Sequence, residues 1–304
     1  MSEALISVER KKFHKALIAN ETLTASPFRK FGFTWISSNA DSGQKLSVSI
    51  ANDLALRISQ SAGVNLVQRD KKKEGQTLGN EFENQCSEFI RRTFLGLGHL
   101  RPGNWVIERV GSRVDGLIGR YAQYSHLAEL GRLAKENKEL RSCLGEGYTI
   151  APDVVVARIP ENDEIINDVC PIVDDFSCGQ AVLRSANHDN PDNPLEIIHA
   201  SVSCKFTMRT DRAQNTRTEA LNLIRNRKGR LPHVVSVTAE PVPSRLASLA
   251  LGTGDLDCVY HFALYELMKT LDDLNKDDAV DLLNTMIEGK RLKDISDLPL
   301  DLAV

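Results

Sequence analysis

The sequence predicts an α/β protein in which a mixed β-sheet is flanked by helices. Segments rich in β-branched residues alternate with segments whose apolar residues recur at helical spacing. Between residues 196 and 241 a strand, a helix and a second strand follow one another through short links, which implies a parallel strand pair. The chain has 304 residues, 41% of them hydrophobic, and can therefore bury a sizeable core.

The elements follow in order along the chain. Residues 35–48 (WISSNADSGQKLSV) are rich in Ser, Asn, Asp and Gly and predict a loop. The segment TLGNEFENQCSEFIRRTFLGLG predicts a helix that Gly96 or Gly98 can end. Its apolar positions at helical spacing are Phe82, Cys86, Phe89, Ile90 and Phe94.

The central region predicts the sheet. Strands are expected at 104–111, 148–159, 196–209 and 231–241. Helices are expected at 116–141 and 209–229, and residues 160–195 form a polar excursion.

The C-terminal region predicts two amphipathic helices, DCVYHFALYELMKTL and DDAVDLLNTMI, with Asp255 of LGTGD as a helix cap. We expect one domain over 1–304, with a catalytic core at about 77–245 and C-terminal helices at 255–290.

Composition limits the function classes. The six cysteines form no C-x-x-C pair, which argues against a zinc site and favours a reducing compartment. The N-terminus has no signal-peptide run and no stretch of about 18 apolar residues occurs, so we expect a soluble cytoplasmic protein without membrane contact. The net charge of −3 argues mildly against a nucleic-acid partner, although local charge can still contact phosphates.

Two neighbouring strands carry a candidate active site. Asp153, after Pro152, begins one strand, and Lys205 ends the Ser203-Cys204-Lys205 run of the next. Phosphodiester hydrolysis uses a divalent metal, and Mg²⁺ binds one or two carboxylates together with water and phosphate oxygens. A lysine beside it can hold or deprotonate the attacking water. The spacing resembles that of PD-(D/E)xK nucleases.

Ser203 departs from that pattern, because it occupies the acidic position before x-K. A second carboxylate must come from elsewhere. Glu219, on the following helix, is the best candidate, and Glu83 is a further one for the outer metal shell. Each residue also has an ordinary interpretation: Pro-Asp as a turn, the lysine and the glutamates as solvated side chains.

The element Arg209-Thr210-Asp211-Arg212 follows the Lys205 strand directly. Arginine pairs with guanine O6 and N7, and a carboxylate accepts from cytosine N4, so the element suits G·C pairs. An alternative is that Asp211 is a helix N-cap in a capping box with Gln214.

Two other features have ordinary interpretations that we favour. The run RNRKGR (225–230) lies at the C-terminal end of the predicted helix, where its cations complement the helix dipole. The alternative is that these residues contact phosphates of a nucleic acid. His199 lies in an apolar strand and is expected to be a core histidine.

Long runs of the chain resemble the NgoMIV-like group of type II restriction endonucleases, which belongs to the PD-(D/E)xK superfamily. The resemblance covers nearly the whole chain and is weakest in the first thirty residues and in 160–195. The runs are GQTLGNEFENQCSEF, RPGNW, YTIAPDVVV, VSCKFTMRTDRAQNTRTEALNLIRNRKGRLPHVVSVTAEPVPSRLASLALGTGDLDCVYHFALYEL and GKRLKDISDLPLDLAV.

The resemblance implies a restriction-endonuclease-like fold and Mg²⁺-dependent cleavage of double-stranded DNA at a palindrome containing CCGG. It implies the site GCCGGC, cut after the first G to leave 5′-CCGG overhangs and 5′-phosphates. It further implies a homotetramer built from two dimers. A cognate DNA methyltransferase is expected in the same system, because a host must shield its own sites.

The resemblance also implies residue roles. Asp153 and Glu219 become metal ligands together with a backbone carbonyl next to Lys205, assigned to Cys204, while Glu83 is accessory. The resemblance assigns contacts with the bases of the CCGG core to Arg209, Asp211 and Arg212. The resemblance assigns contacts with the outer base pair to Arg245, Asp41 and Gln76.

Three alternatives stay open. Ser203 in the acidic position favours a non-cleaving DNA-binding protein of the same fold. A repair nuclease would share the fold and the metal residues. A purely structural or interaction protein would bind no CCGG duplex.

Overall fold

The computed structural model describes residues 3–110, 117–144, 152–208, 210–252 and 254–304. The α-helices are α1 (Leu5–Ala19), α2 (Lys45–Ala62), α3 (Gly75–Phe94), α4 (Ser125–Glu136), α5 (Lys138–Leu144), α6 (Asp163–Ile166), α7 (Thr210–Asn226), α8 (Pro243–Ala250), α9 (Leu264–Asp273), α10 (Asp277–Glu288) and α11 (Leu298–Asp301). The strands are β1 (Thr24–Lys30), β2 (Phe33–Ser37), β3 (Val67–Gln68), β4 (Trp105–Arg109), β5 (Val154–Arg158), β6 (Ile197–Lys205), β7 (His233–Thr238), β8 (Cys258–His261) and β9 (Leu292–Asp294).

The main sheet is mixed, as the sequence predicts, and has the order β4-β5-β6-β7-β8-β9. β4 and β5 are antiparallel, whereas β7, β8 and β9 are parallel. The Ser236 hydroxyl donates to the Ser203 carbonyl (3.1 Å) and the Thr238 hydroxyl to the Lys205 carbonyl (2.7 Å). The residue numbers of the paired positions rise together, from Ser203 and Ser236 to Lys205 and Thr238, so β6 and β7 are parallel. Together with α7 they form the predicted strand-helix-strand unit.

The chain divides into two compact units. The larger unit comprises Met1–Leu100, Val202–Thr218 and Val234–Val304, and the smaller unit comprises Arg101–Ser201 and Glu219–His233. The expectation of a single domain over 1–304 stays a prediction. Among the described residues, no helix has the length and apolar character needed to cross a membrane.

An aromatic cluster in the larger unit holds α3 in place. Phe82 is fully buried, and its ring lies 5.5 Å from that of Phe206 and 6.4 Å from that of Phe13. All five apolar positions expected to face the core of this helix are buried, which confirms the predicted helix and its inner face. Phe206 directly follows Lys205, so this packing also fixes the end of β6.

Backbone-directed hydrogen bonds organise the smaller unit. The Gln123 amide donates to the Ile198 carbonyl (2.7 Å) and accepts from the Ile198 N–H (3.0 Å). The buried Tyr124 hydroxyl donates to the Leu223 carbonyl of α7 (3.0 Å). Each bond satisfies a buried polar group, so together they anchor the C-terminal half of α7.

Three regions differ from the sequence-based expectation: 35–48, 116–141 and 255–261. The single helix expected over 116–141 is wrong over its first part, because Leu117–Arg120 and Ala122–Tyr124 are short 3-10 helices that precede α4. Residues 35–48 are not one loop, because β2 extends to Ser37 and α2 begins at Lys45. The helix expected from residue 257 is wrong over its first part: Cys258–His261 forms buried strand β8, whose β-branched and aromatic residues pair in parallel with β7. Asp255 therefore precedes a strand, not a helix, and the C-terminal helices begin at Leu264.

The polar excursion at 160–195 contains little regular structure, as expected, and is organised around Arg184. This arginine is buried and forms a two-pronged ion pair with Asp163, with N···O distances of 2.7 and 2.6 Å. It also donates to the carbonyls of Asp174 (3.0 Å) and Ser177 (2.8 Å). One guanidinium thus connects Asp163, near the start of the segment, with the backbone of Asp174 and Ser177 through charge-assisted bonds.

Candidate active site

Asp153 directly precedes β5, and its side chain is half-buried. The Val110 N–H donates to the Asp153 carbonyl at 3.1 Å, so the pairing with the end of β4 continues through this residue. The backbone of the candidate metal ligand is therefore held by the chain that follows β4.

Ser203 and Lys205 lie on one face of β6 and Cys204 on the other, because side chains alternate along a strand. Burial agrees: Ser203 and Lys205 are half-buried, whereas the Cys204 side chain is buried. Carbonyls also alternate in direction within the plane of a sheet. Since the Ser203 and Lys205 carbonyls accept from side chains of β7, the Cys204 carbonyl points away from β7.

The two candidate glutamates are both half-buried. Glu219 lies in the middle of α7, one turn after Thr216, a fully buried residue whose hydroxyl donates to the Arg212 carbonyl at 3.0 Å. Glu83 lies on α3 next to Phe82. Asp153 and Glu219 belong to the smaller unit, whereas Lys205 and Glu83 belong to the larger one.

Among the side chains that the structure describes, no group of three or more His, Cys, Asp or Glu could by itself hold a metal ion. Magnesium does not require such a group, since it retains water and phosphate oxygens as ligands. The proposed donors, two carboxylates and one backbone carbonyl, are all oxygen atoms and match its preference.

The Arg209-to-Arg212 element leads into α7. Arg209 lies outside the described residues, as does the side chain of Asp211. Because α7 begins at Thr210, Asp211 is the second residue of the helix, so the N-cap interpretation is wrong. Arg212 is half-buried and donates to the Thr207 carbonyl (3.1 Å) and hydroxyl (2.8 Å).

Four candidate recognition residues lie in the larger unit: Arg212, Gln76, Arg245 and Asp41. The Arg212 guanidinium lies beside Gly75, where a Cβ would come within 3.6 Å of Nη2. Gln76 is the next residue on α3 and is exposed. Arg245, on α8, forms an ion pair with Asp41 at 2.5 Å. The structure thus brings together Arg245 and Asp41, two residues expected to read the outer base pair.

Sequence reasoning missed Glu240, which is fully buried two residues after β7. Its carboxylate accepts from the Met208 N–H at 2.8 Å and the Val242 N–H at 3.2 Å, and lies 3.6 Å from Arg245. Burial raises its pKa to about 7, although both N–H donors and the Arg245 cation oppose that rise. The sequence did contain a signal, because TAEPVP places an acidic residue directly after an apolar strand. If such a residue is buried, it usually has a partner.

The structure also shows where the RNRKGR run and His199 lie. α7 ends at Asn226, so Arg225 of the RNRKGR run lies in the last turn, where a cation complements the helix dipole. His199 is buried, with its ring 5.0 Å from those of Trp105 and His233, which confirms a core histidine.

Comparison with known proteins gives a family-level match over nearly the whole chain. Residues 13–304 match the family model described as NgoMIV restriction enzyme. The chain is 50% identical over 301 residues to the type II restriction enzyme NgoMIV of Neisseria gonorrhoeae, and the alignment covers 99% of each protein.

Proposed function

The chain belongs to the NgoMIV restriction enzyme family, and from that membership we propose that it cleaves double-stranded DNA at GCCGGC. It is a type II restriction endonuclease, a site-specific deoxyribonuclease. The observation that carries the finer proposal is the 50% identity across 99% of both proteins. We propose a cut after the first G, which leaves 5′-CCGG overhangs and 5′-phosphates.

Asp153 and Glu219 would hold Mg²⁺ together with the Cys204 carbonyl, and Glu83 would contribute through water. Two features support this set: β5 and β6 are neighbours in the sheet order, and the Cys204 carbonyl points away from β7. When bound, Mg²⁺ polarises the scissile phosphate and offsets the charge that develops in the transition state.

The side chains of the protein supply the remaining functions. Lys205, at the end of β6, would hold the attacking water and assist removal of its proton. The water oxygen forms a new bond to phosphorus in line with the departing 3′-oxygen, whose bond to phosphorus breaks. The products are a 5′-phosphate and a 3′-hydroxyl. Ser203 lies on the Lys205 face of β6, where a hydroxyl can bond to water but cannot provide the missing negative charge.

Arg209, Asp211 and Arg212 would read the central CCGG, and Arg245, Asp41 and Gln76 the outer pair. A dimer would use each set twice, because its two-fold axis matches that of the palindrome. The ion pair between Arg245 and Asp41 supports this assignment, since it can orient the guanidinium fork before DNA binds.

Sequencing the DNA ends made on a bacterial genome tests the whole proposal. With Mg²⁺ we expect ends only within GCCGGC, each with a 5′-CCGG overhang, and with a chelator we expect no cleavage. A non-cleaving binding protein, which Ser203 favours, would give no ends in either condition. A repair nuclease would give nicks that depend on DNA structure. Ends at a different sequence would contradict the proposed site.

We further propose a homotetramer of two dimers, with residues 160–195 in its contact. This segment exposes large apolar side chains, among them Val169 (91%) and Phe176 (98%), and an interface would remove such side chains from water. Phe176→Ser is expected to shift the mass in light scattering from tetramer toward dimer. Val304→Ser, which also replaces an exposed apolar side chain (80%) with a hydroxyl, is the control. An unchanged tetramer would exclude Phe176 from the contact.

Site-specific cleavage threatens the DNA of the host. We therefore propose a cognate methyltransferase that modifies the same sequence. Methylated GCCGGC duplex is expected to resist cleavage.

A further inference from the structure

Glu240 connects two segments that carry proposed recognition residues. One oxygen, Oε2, accepts from the Met208 N–H at 2.8 Å, and Met208 immediately precedes the Arg209-to-Arg212 element. The other oxygen, Oε1, accepts from the Val242 N–H at 3.2 Å and faces Nη1 of Arg245 at 3.6 Å. All of these residues lie in the larger unit.

Further bonds reinforce this connection. Arg245 donates to the Met208 carbonyl at 3.4 Å, so it contacts the same residue that Glu240 holds. The buried Asn39 amide donates to the Ala239 carbonyl at 2.9 Å, which ties the loop of Asp41 to the residue before Glu240. Both partners of the Arg245–Asp41 ion pair are therefore attached to the Glu240 segment.

We propose that Glu240 is a positioning residue that couples reading of the outer G·C pair by Arg245 to reading of the CCGG core by the element after Met208. The inference rests on the proposed function. A buried carboxylate suits this role because it accepts several hydrogen bonds at once and attracts the guanidinium. Its complete burial holds the group in one geometry, which matters because a bidentate contact to a base tolerates little displacement.

Glutamine cannot replace this carboxylate. Its amide has one accepting oxygen, so its NH₂ group must face an N–H or the Arg245 cation. One of these donors then loses its partner. Glu240→Gln is therefore expected to increase the mobility of Arg245 and of the recognition element that follows Met208.

The expected pH dependence follows from the charge of Glu240. Burial raises the pKa of Glu240 to about 7, so the carboxylate gains its charge, and its hold on Arg245, as pH rises through that value. The other groups that face it are Asp41, behind Arg245, and His261, whose ring bonds to the Glu240 carbonyl. Burial lowers the pKa of His261 to about 4, so His261 stays neutral over this range.

The same shift also affects folding. Since the pKa of Glu240 lies above the ordinary value of 4.5, its charge costs stability as pH rises from about 4.5 to 7. The Tm of Glu240→Gln relative to the wild type is expected to rise over that window. Recognition and stability should therefore respond to pH in opposite directions.

A base-analogue cycle tests the proposal. Cleavage kcat/KM is measured on GCCGGC duplexes in which 7-deazaguanine, which lacks N7, replaces either the outer or a core guanine. The wild type is expected to lose about tenfold on each analogue. Glu240→Gln is expected to cut all duplexes at similar reduced rates, with the analogue effect at both positions largely gone. In the wild type the analogue effect should shrink from about pH 8 to about pH 6, whereas in the variant it should not change.

Two further variants support this design. Glu288→Gln makes the same charge change on an exposed residue of α10 and should match the wild type. Glu240→Asp keeps the charge on a side chain one methylene shorter; it should lower the analogue effect but keep its pH trend. If the wild type is insensitive to the outer analogue, the proposed recognition site is wrong. If the wild type responds and Glu240→Gln responds equally, the role of Glu240 is overturned.

Discussion

Lys205→Ala is expected to reduce cleavage of GCCGGC DNA to a small residual rate and to leave binding nearly unchanged. The lysine lies at the end of β6 on the same face as Ser203, and its half-buried amine is proposed to hold the attacking water. Removing such a group typically lowers the rate by about 10²–10⁴-fold. Binding is spared because the proposed base contacts come from other residues.

Single-turnover cleavage and gel-shift affinity, measured on the same duplex, separate the two effects. Lys11→Ala, which removes an exposed lysine from α1, serves as the control and should behave as the wild type in both assays. Cleavage by Lys205→Ala at the parental rate would refute the proposed mechanism. A large loss of affinity would instead place Lys205 in DNA binding.

Arg212→Ala is expected to weaken binding of a CCGG duplex by about 100-fold or more, while binding of unrelated DNA changes little. Each bidentate contact to a guanine contributes roughly 1–3 kcal/mol, and a two-fold symmetric dimer makes it twice. The bonds from Arg212 to the Thr207 carbonyl and hydroxyl hold its side chain at the start of α7. Little ordering is therefore needed on binding.

Arg212→Lys distinguishes base reading from simple charge. Lysine keeps the positive charge but lacks the planar fork, so a base-reading role predicts a loss of specificity close to that of alanine. A phosphate contact would instead be largely preserved by lysine. Competition gel shifts at fixed salt measure both variants, with Arg132→Ala, a change at an exposed arginine of α4, as the control. Full specificity in Arg212→Lys would contradict the assignment.

Local sequence patterns were sufficient to predict α3 and the strand-helix-strand unit around α7. The five apolar positions of α3 recur at helical spacing, and each one is buried, because one helical stripe against one core leaves few alternatives. The strand-helix-strand order around α7 likewise leads to parallel strands, since short links permit little else. The same logic failed at 258–261, where an apolar run suits a strand or a buried helix and only the pairing with β7 decides.

The candidate site shows a similar division. Residue types and spacing were sufficient to propose Asp153, Lys205 and Glu219 as candidates, because the chemistry of each depends on its own side chain. The sequence shows Glu240 only as an acidic residue that follows an apolar strand, and it does not show the role of that residue. Its role arises from contacts with Met208, Val242 and Arg245, and two of these partners lie on other elements or segments.

The sequence by itself determined the fold class and the helices and strands with clear periodicity, and it supplied the residues that we propose for hydrolysis and base recognition. It did so because propensity, periodicity and side-chain chemistry act over a few neighbouring residues. Only the tertiary structure decided that Arg245 pairs with Asp41, 204 positions away, and that a buried carboxylate holds the residue before the recognition element. The cost of burying a charge depends on which distant groups surround it, and folding alone brings those groups together.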